Sequence, residues 1–163
     1  MSRHYKAKRK AYRPRAVITD PLSLLRPVDK QRQAAVLLRF LSALDAMARG
    51  EHPGEAEWHD LSDAINTVET LALSLQKLDA HQVMPIVNAA IAAMVAAAKR
   101  FKAGQGMRLD ASGLQALRDV VDVYRQCLEG LTEREMAMAQ AETQRRVNEL
   151  LRAKQQTHEV ISL

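Results

Sequence analysis

Aromatic residues are scarce in this chain: Phe, Trp and Tyr make up 4% of its 163 residues. The hydrophobic fraction is nonetheless 47%, so a real core is available, packed by Ala, Leu, Met and Val. Few aromatic and few β-branched residues argue for helices over sheets. There is a single cysteine, Cys127, which excludes an intramolecular disulfide and suits a reducing compartment. It has no histidine near it in sequence to act as a base, so it reads as a small buried hydrophobe rather than a nucleophile. The chain has no Gly-rich phosphate loop, no Ser-His-Asp pattern, no Cys-x-x-Cys and no acidic pair in an apolar setting. An enzyme is therefore not expected, nor a cofactor.

Long apolar runs are also missing. The stretch "IVNAAIAAMVAAA" is bounded by "KRFK" and falls short of the ~18–20 residues that span a bilayer. It reads as a buried helix. No apolar signal core follows the basic N-terminus, and Pro14, Pro21 and Pro27 interrupt what an amphipathic presequence would need. The expectation is a cytoplasmic protein.

The most telling absence is of acid at the start. The first sixteen residues, "MSRHYKAKRKAYRPRA", carry seven Lys or Arg and no Asp or Glu. Residues 1–30 hold nine basic and two acidic side chains, 9 − 2 = +7; the rest of the chain holds 15 basic and 17 acidic, or −2. The overall +5 thus belongs to the arm, and the body is slightly acidic. Such an asymmetry suits an arm that meets a polyanion. Arg3, Lys6, Lys8, Arg9, Lys10, Arg13 and Arg15 would neutralise phosphates, releasing counterions. Tyr5 and Tyr12, interleaved with them beside His4, would stack on unpaired bases. An acidic protein groove would attract the same charges.

Hydrophobic periodicity divides the remainder. Residues 1–28 read as a flexible basic arm (1–15) and an extended, partly docked strap (16–28), residues 29–155 as a helical bundle and 156–163 as a short tail. The first helix follows Asp29, with Val36, Leu37, Phe40, Leu41, Leu44, Met47 and Ala48 on one face and Gly50 as its stop. The second carries the stripe Trp58, Leu61, Ile65, Val68, Leu71, Ala72 and Leu75. The third, over 80–102 with Asp79 as N-cap, is apolar nearly all round and belongs at the centre; Pro85 stands late for a first-turn proline. The fourth is capped by Asp110 and buries Leu114, Leu117, Val120, Val121, Tyr124, Cys127, Leu128 and Leu131, ending at Gly130. Thr132 and Glu135 have capping-box spacing for a fifth helix reaching about Lys154. That helix is polar in its middle, "QAETQRRVNE", which predicts exposure or pairing with another chain. The expected fold is all-α: a five-helix up-and-down bundle with an extended basic arm.

Other clusters are weaker. Lys99, Arg100, Lys102 and Arg108 form a second basic patch, which the helix dipole alone would favour at a C-terminus. Arg145, Arg146, Arg152 and Lys154 alternate with Glu142 and Glu149, as on a solvated face. His59 and Asp63, with His52, Glu55 and Asp60, lack the His-x3-His or Glu-x-x-His spacing of helical metal sites, so no metal is expected. The "REMAMAQ" segment would make an adaptable contact surface or fill core space.

Three stretches, "RPRAVITDPLSLL", "WHDLSDAINTVETLAL" and "GMRLDASGLQALRDVVDVYRQCLEGLTEREM", resemble small uncharacterised α-helical accessory proteins of proteobacterial plasmids and filamentous prophages. The resemblance implies a cytoplasmic mobile-element protein and no particular chemistry. The expected function is non-enzymatic binding of nucleic acid (DNA or RNA) or a nucleoprotein complex through the arm, with the bundle supplying shape or a homo-oligomer contact. The alternative is a protein-protein inhibitor or adaptor, such as an anti-CRISPR or other anti-defence factor or a virion assembly protein, docking through the last helix.

Overall fold

A computed structural model of the chain describes residues 21–49 and 53–152. The basic arm (1–15), residues 16–20 of the strap, Gly50, His52 and the tail lie outside the described residues. Within them the fold is all-α. Five helices follow a short 3-10 turn over Pro21–Leu25: α1 Lys30–Arg49, α2 Glu55–Leu73, α3 Ala80–Lys102, α4 Ala111–Gly130 and α5 Glu133–Arg152.

Polar side chains set the helix starts. The Asp79 carboxylate accepts from the His81 N–H at 2.9 Å, and that of Asp110 accepts from the Gly113 N–H at 2.7 Å. Each satisfies a donor that a helix start leaves orphaned. Thr132 and Glu135 form the capping box: the Thr132 N–H donates to Glu135 Oε2 at 2.9 Å, and the Glu135 N–H donates to Thr132 Oγ1 at 3.3 Å. Glu57 likewise accepts from the Gly54 N–H at 2.8 Å. α3 ends where Gly104 takes φ +75°, a left-handed dihedral that favours glycine. Gly130, by contrast, is still helical, and Leu131 takes the C-cap with extended backbone.

Short connections make α1 to α4 successive neighbours, and α4 closes the ring on α1. α2 is the hub, touching all four other helices. Its stripe of Trp58, Leu61, Ile65, Val68 and Leu71 is buried, and so are Ser62, Thr67 and Thr70 on its other faces. α3 does not hold the centre that its sequence predicts. It packs on α2 and α4 through Val83, Val87, Ala90, Met94 and Ala97 and leaves Ala89 and Ala92 exposed. Alanine pays little for exposure, so an all-apolar, Ala-rich helix tolerates an edge position that a Leu-rich one would not. α3 is also long and apolar enough to cross a bilayer by length and composition, a test its sequence was not expected to meet.

The α1 face is rotated from the expected one. Phe40, Ala43, Leu44 and Met47 are buried, whereas Leu41 and Ala48 are exposed, as is Leu38. The strap is not extended throughout: residues 21–25 form the 3-10 turn. The following residues dock by backbone on the α4–α5 junction. The Val28 N–H donates to the Leu131 carbonyl at 3.0 Å, and the Glu133 N–H donates to that of Arg26 at 2.9 Å. Arg32 pairs with Glu133, and Gln33 donates to the Val28 and Leu128 carbonyls.

Candidate functional site: a polar groove and a basic turn

Only two residues, Leu131 and Thr132, separate α4 from α5. α5 does not fold back along α4 but crosses onto α2. The seam it makes there is largely polar. Thr143 Oγ1 donates to Thr70 Oγ1 at 2.9 Å, Arg146 Nη1 donates to the same oxygen at 3.2 Å, and Arg146 pairs with Glu69 at 3.1 Å. The polar middle of α5, expected to be exposed or to meet another chain, instead turns one edge inward onto Thr70, which is 1% exposed.

Because α5 sits on α2 without closing against α1, a groove remains between α1 and α5, floored by α2. Its volume is about 420 Å³, within the range of ordinary ligand and peptide clefts. Apolar area comes from Val36, Phe40, Trp58 and Val147; Asn66, Gln140 and Gln144 supply amides. The Phe40 and Tyr124 rings meet edge to face, with centroids 5.2 Å apart. Trp58 is 1% exposed, and its indole N–H is buried with no acceptor among the described residues. Buried donors are seldom left so, and each costs free energy until something accepts from it.

The upper rim carries charge. Arg39 Nε lies 3.1 Å from Asp60 and its Nη2 lies 3.6 Å from Asp63, so two carboxylates share one guanidinium. Burial raises the Asp63 carboxyl above its ordinary range, and Asp60 beside it adds to this, against the pull of Arg39. At the groove floor, burial pushes the Tyr124 phenol up to about 12; burial likewise pushes the Cys127 thiol, which lines a separate cavity beside Leu71 and Val83, up to about 11. Tyr124 spends its O–H on Met136 Sδ at 3.9 Å. A thiol so raised holds almost no thiolate near neutrality, which fits the inert, buried Cys127 expected from its sequence context.

The second basic patch lies on the α3–α4 turn. Arg100 is committed: its Nε and Nη2 donate to the Arg108 carbonyl at 3.2 and 2.7 Å, closing the turn. Lys99, Lys102 and Arg108 are exposed, and Phe101, near the end of the helix expected at the centre, stands 43% exposed among them. Chain direction separates this turn from the arm. The strap docks where α4 passes into α5, at the opposite end of a bundle whose helices, at 20 residues, are about 30 Å long. The structure therefore does not join patch and arm root into one surface. The nine candidate residues of the arm, Arg3 to Arg15, lie outside the described residues.

His59 and Asp63 stand at the groove rim, and among the described residues no group of His, Cys, Asp or Glu is placed to hold a metal ion. Sequence reasoning missed the groove. Its residues come from three helices, and Arg39, Asn66, Gln140 and Gln144 carry no pattern that ties them together. The one legible signal was the polar middle of α5. No protein-family model, curated protein or solved structure matches the chain.

Proposed function

We propose that this is a non-enzymatic binding protein that contacts nucleic acid, or a nucleoprotein complex, through its basic N-terminal arm. The resemblance to plasmid and prophage accessory proteins suggests a mobile-element setting in the cytoplasm. The carrying observation is charge segregation: +7 in residues 1–30 against −2 in the remainder. The body's own ion pairs support this reading. Asp45, Asp60, Asp63, Glu69, Asp122, Glu133, Glu135, Glu142 and Glu149 all pair with cations of the body. Those pairs are satisfied within the body, so they do not depend on the arm cations. Lys102 and Arg108 offer a secondary contact at the far end.

Fluorescence anisotropy of the full chain with single- and double-stranded oligonucleotides, titrated with salt, tests the idea. If all seven arm cations engage, the slope of log affinity against log salt is about −5 for single strands and about −6 for duplex. A chain lacking residues 1–15 loses most of that slope. Unchanged binding after this deletion would sink the proposal. A second reading, a protein-protein adaptor or inhibitor of the anti-defence or virion-assembly kind, draws on the exposed Leu38, Leu41 and Met138. Pull-down of one defined protein after nuclease treatment, lost on Leu38→Ser with Leu41→Ser, distinguishes it.

A further inference from the structure

We infer that the α3–α4 turn is a stacking site for single-stranded nucleic acid, with a base on the Phe101 ring and phosphates on Lys102 and Arg108. The inference rests on the reading of the chain as a nucleic-acid binder, and it does not need the arm to be the part that binds.

Three observations converge on it. The first is an aromatic ring left in water. The buried residues Val83, Val87, Ala90, Met94 and Ala97 repeat along α3 at helical steps, and Phe101 continues them. The core ends before it. Met107 and Leu109, returning from the turn, are buried in the core cluster, whereas Phe101 stays exposed. A Phe ring so placed forgoes the gain of burial and offers a flat face to a partner.

The second is rigid presentation. The Gly104 N–H donates to the Phe101 carbonyl at 2.9 Å, and the Gln105 N–H donates to that of Arg100 at 3.0 Å. These two bonds close the helix end around the left-handed Gly104. The Arg100 guanidinium ties the far side of the turn through the Arg108 carbonyl. The backbone that carries ring and cations is thus ordered before any ligand arrives, which lowers the cost of binding. A Cβ at Gly104 or Gly106 would meet nothing within 4 Å among the described residues, so the outer side of the turn is open.

The third is charge. Lys102 and Arg108 are exposed, and among the described residues neither has an ion-pair partner. The nearest acid in sequence, Asp110, already accepts from the Ser112 hydroxyl and the Gly113 N–H. Ring and cations together match a strand's alternation of base and phosphate. A duplex keeps its bases stacked on one another, so unpaired bases are the ones that reach the ring. An anionic bilayer would attract the same cations, but it needs apolar area to insert. Phe101 is followed by Lys102, Ala103, Gly104, Gln105 and Gly106, so a single ring is all that the turn offers.

Phe101→Trp in the full-length protein places an indole at the site; the natural Trp58 is buried and supplies a constant background. Short oligothymidylate is expected to quench the introduced indole saturably, and duplex of the same length is not. The affinity read from the quench falls with salt at a log–log slope of about −1.4, the value for two phosphates of a single strand. Lys102→Glu with Arg108→Glu in the same background weakens it by more than about tenfold near 0.1 M salt. In the unmodified chain the Gly104 and Gly106 amide resonances move with the same strand, a measurement that does not depend on how the variants fold. Glycine amides unmoved by oligothymidylate would overturn the inference, as would equal quenching by duplex. So would a response to vesicles of phosphatidylserine and phosphatidylcholine with none to oligothymidylate. The arm is read separately: an anisotropy salt slope unchanged by removing residues 1–15 counts against the arm and leaves the quench as the support of this site.

Discussion

α2 presents two different faces to its neighbours. Toward α1, α3 and α4 it buries Leu61, Ile65, Val68 and Leu71, none more than 1% exposed. Toward α5 it offers Thr70 and Glu69, and receives Thr143 and Arg146. The first face gains by removing apolar area from water, at roughly 25 cal/mol per Å². The second gains through hydrogen bonds and one ion pair, each of which nets about 1 kcal/mol. Four helices are thus held by burial, while α5 is latched, with Met136 and Ala139 as its buried anchors. The groove exists because the latched helix does not seal against α1.

The largest test of this contrast removes apolar volume from the first face. Leu61→Ala is expected to cost about 2–5 kcal/mol in denaturant unfolding and to lower the midpoint of the whole protein. On the second face, Thr70→Val leaves the Thr143 hydroxyl and the Arg146 guanidinium without their shared acceptor. It is expected to cost about 1–2 kcal/mol and to speed amide exchange in α5 more than in α2. Equal acceleration in both helices would show that α5 belongs to the same cooperative unit.

A smaller effect comes from the α5 start. The Lys77 ammonium, and then the N–H and hydroxyl of Thr132, hold the Glu135 carboxyl down to about 2 from an ordinary 4.5. A depressed folded-state value contributes stability that is present above pH 4.5 and is lost as pH falls toward 2. Glu135→Gln should flatten that part of the acid-unfolding curve; an unchanged curve would mean that the pair is fully screened by solvent. The smallest effect on stability is none at all: a thiol-specific reagent near neutral pH should leave native Cys127 unmodified and react only once denaturant exposes it. Rapid native labelling would mean that the packing beside Tyr124 opens often.

Much of the architecture was legible in local patterns. Asp79, Asp110 and the Thr132–Glu135 pair act within one turn of chain, so spacing alone located three helix starts. The α2 stripe from Trp58 to Ala72 repeats at helical steps and is buried as expected, whereas Leu75 lies past the end of α2 and is half-buried. α1 was legible in extent and not in rotation, because Leu38 and Leu41 are as apolar as Leu44 and only the positions of α2 and α4 decide which of them is covered. α3 misled for a related reason: alanine is compatible with both centre and edge, so composition could not choose between them. For α5, a polar run reads the same whether it faces water or another polar helix.

By itself the sequence determined the all-α class, the number of helices, the starts of three of them and the concentration of positive charge in the first thirty residues. These follow from propensities, spacings and counts, which are properties of the chain read in order. Only the tertiary structure decided that α2 is the hub and that α5 leaves α4 to latch onto Thr70. It also decided that Arg39, Asp63, Asn66 and Gln140 line one groove above Trp58. Those residues share no local pattern, because what joins them is the packing of α5 onto α2 beside α1.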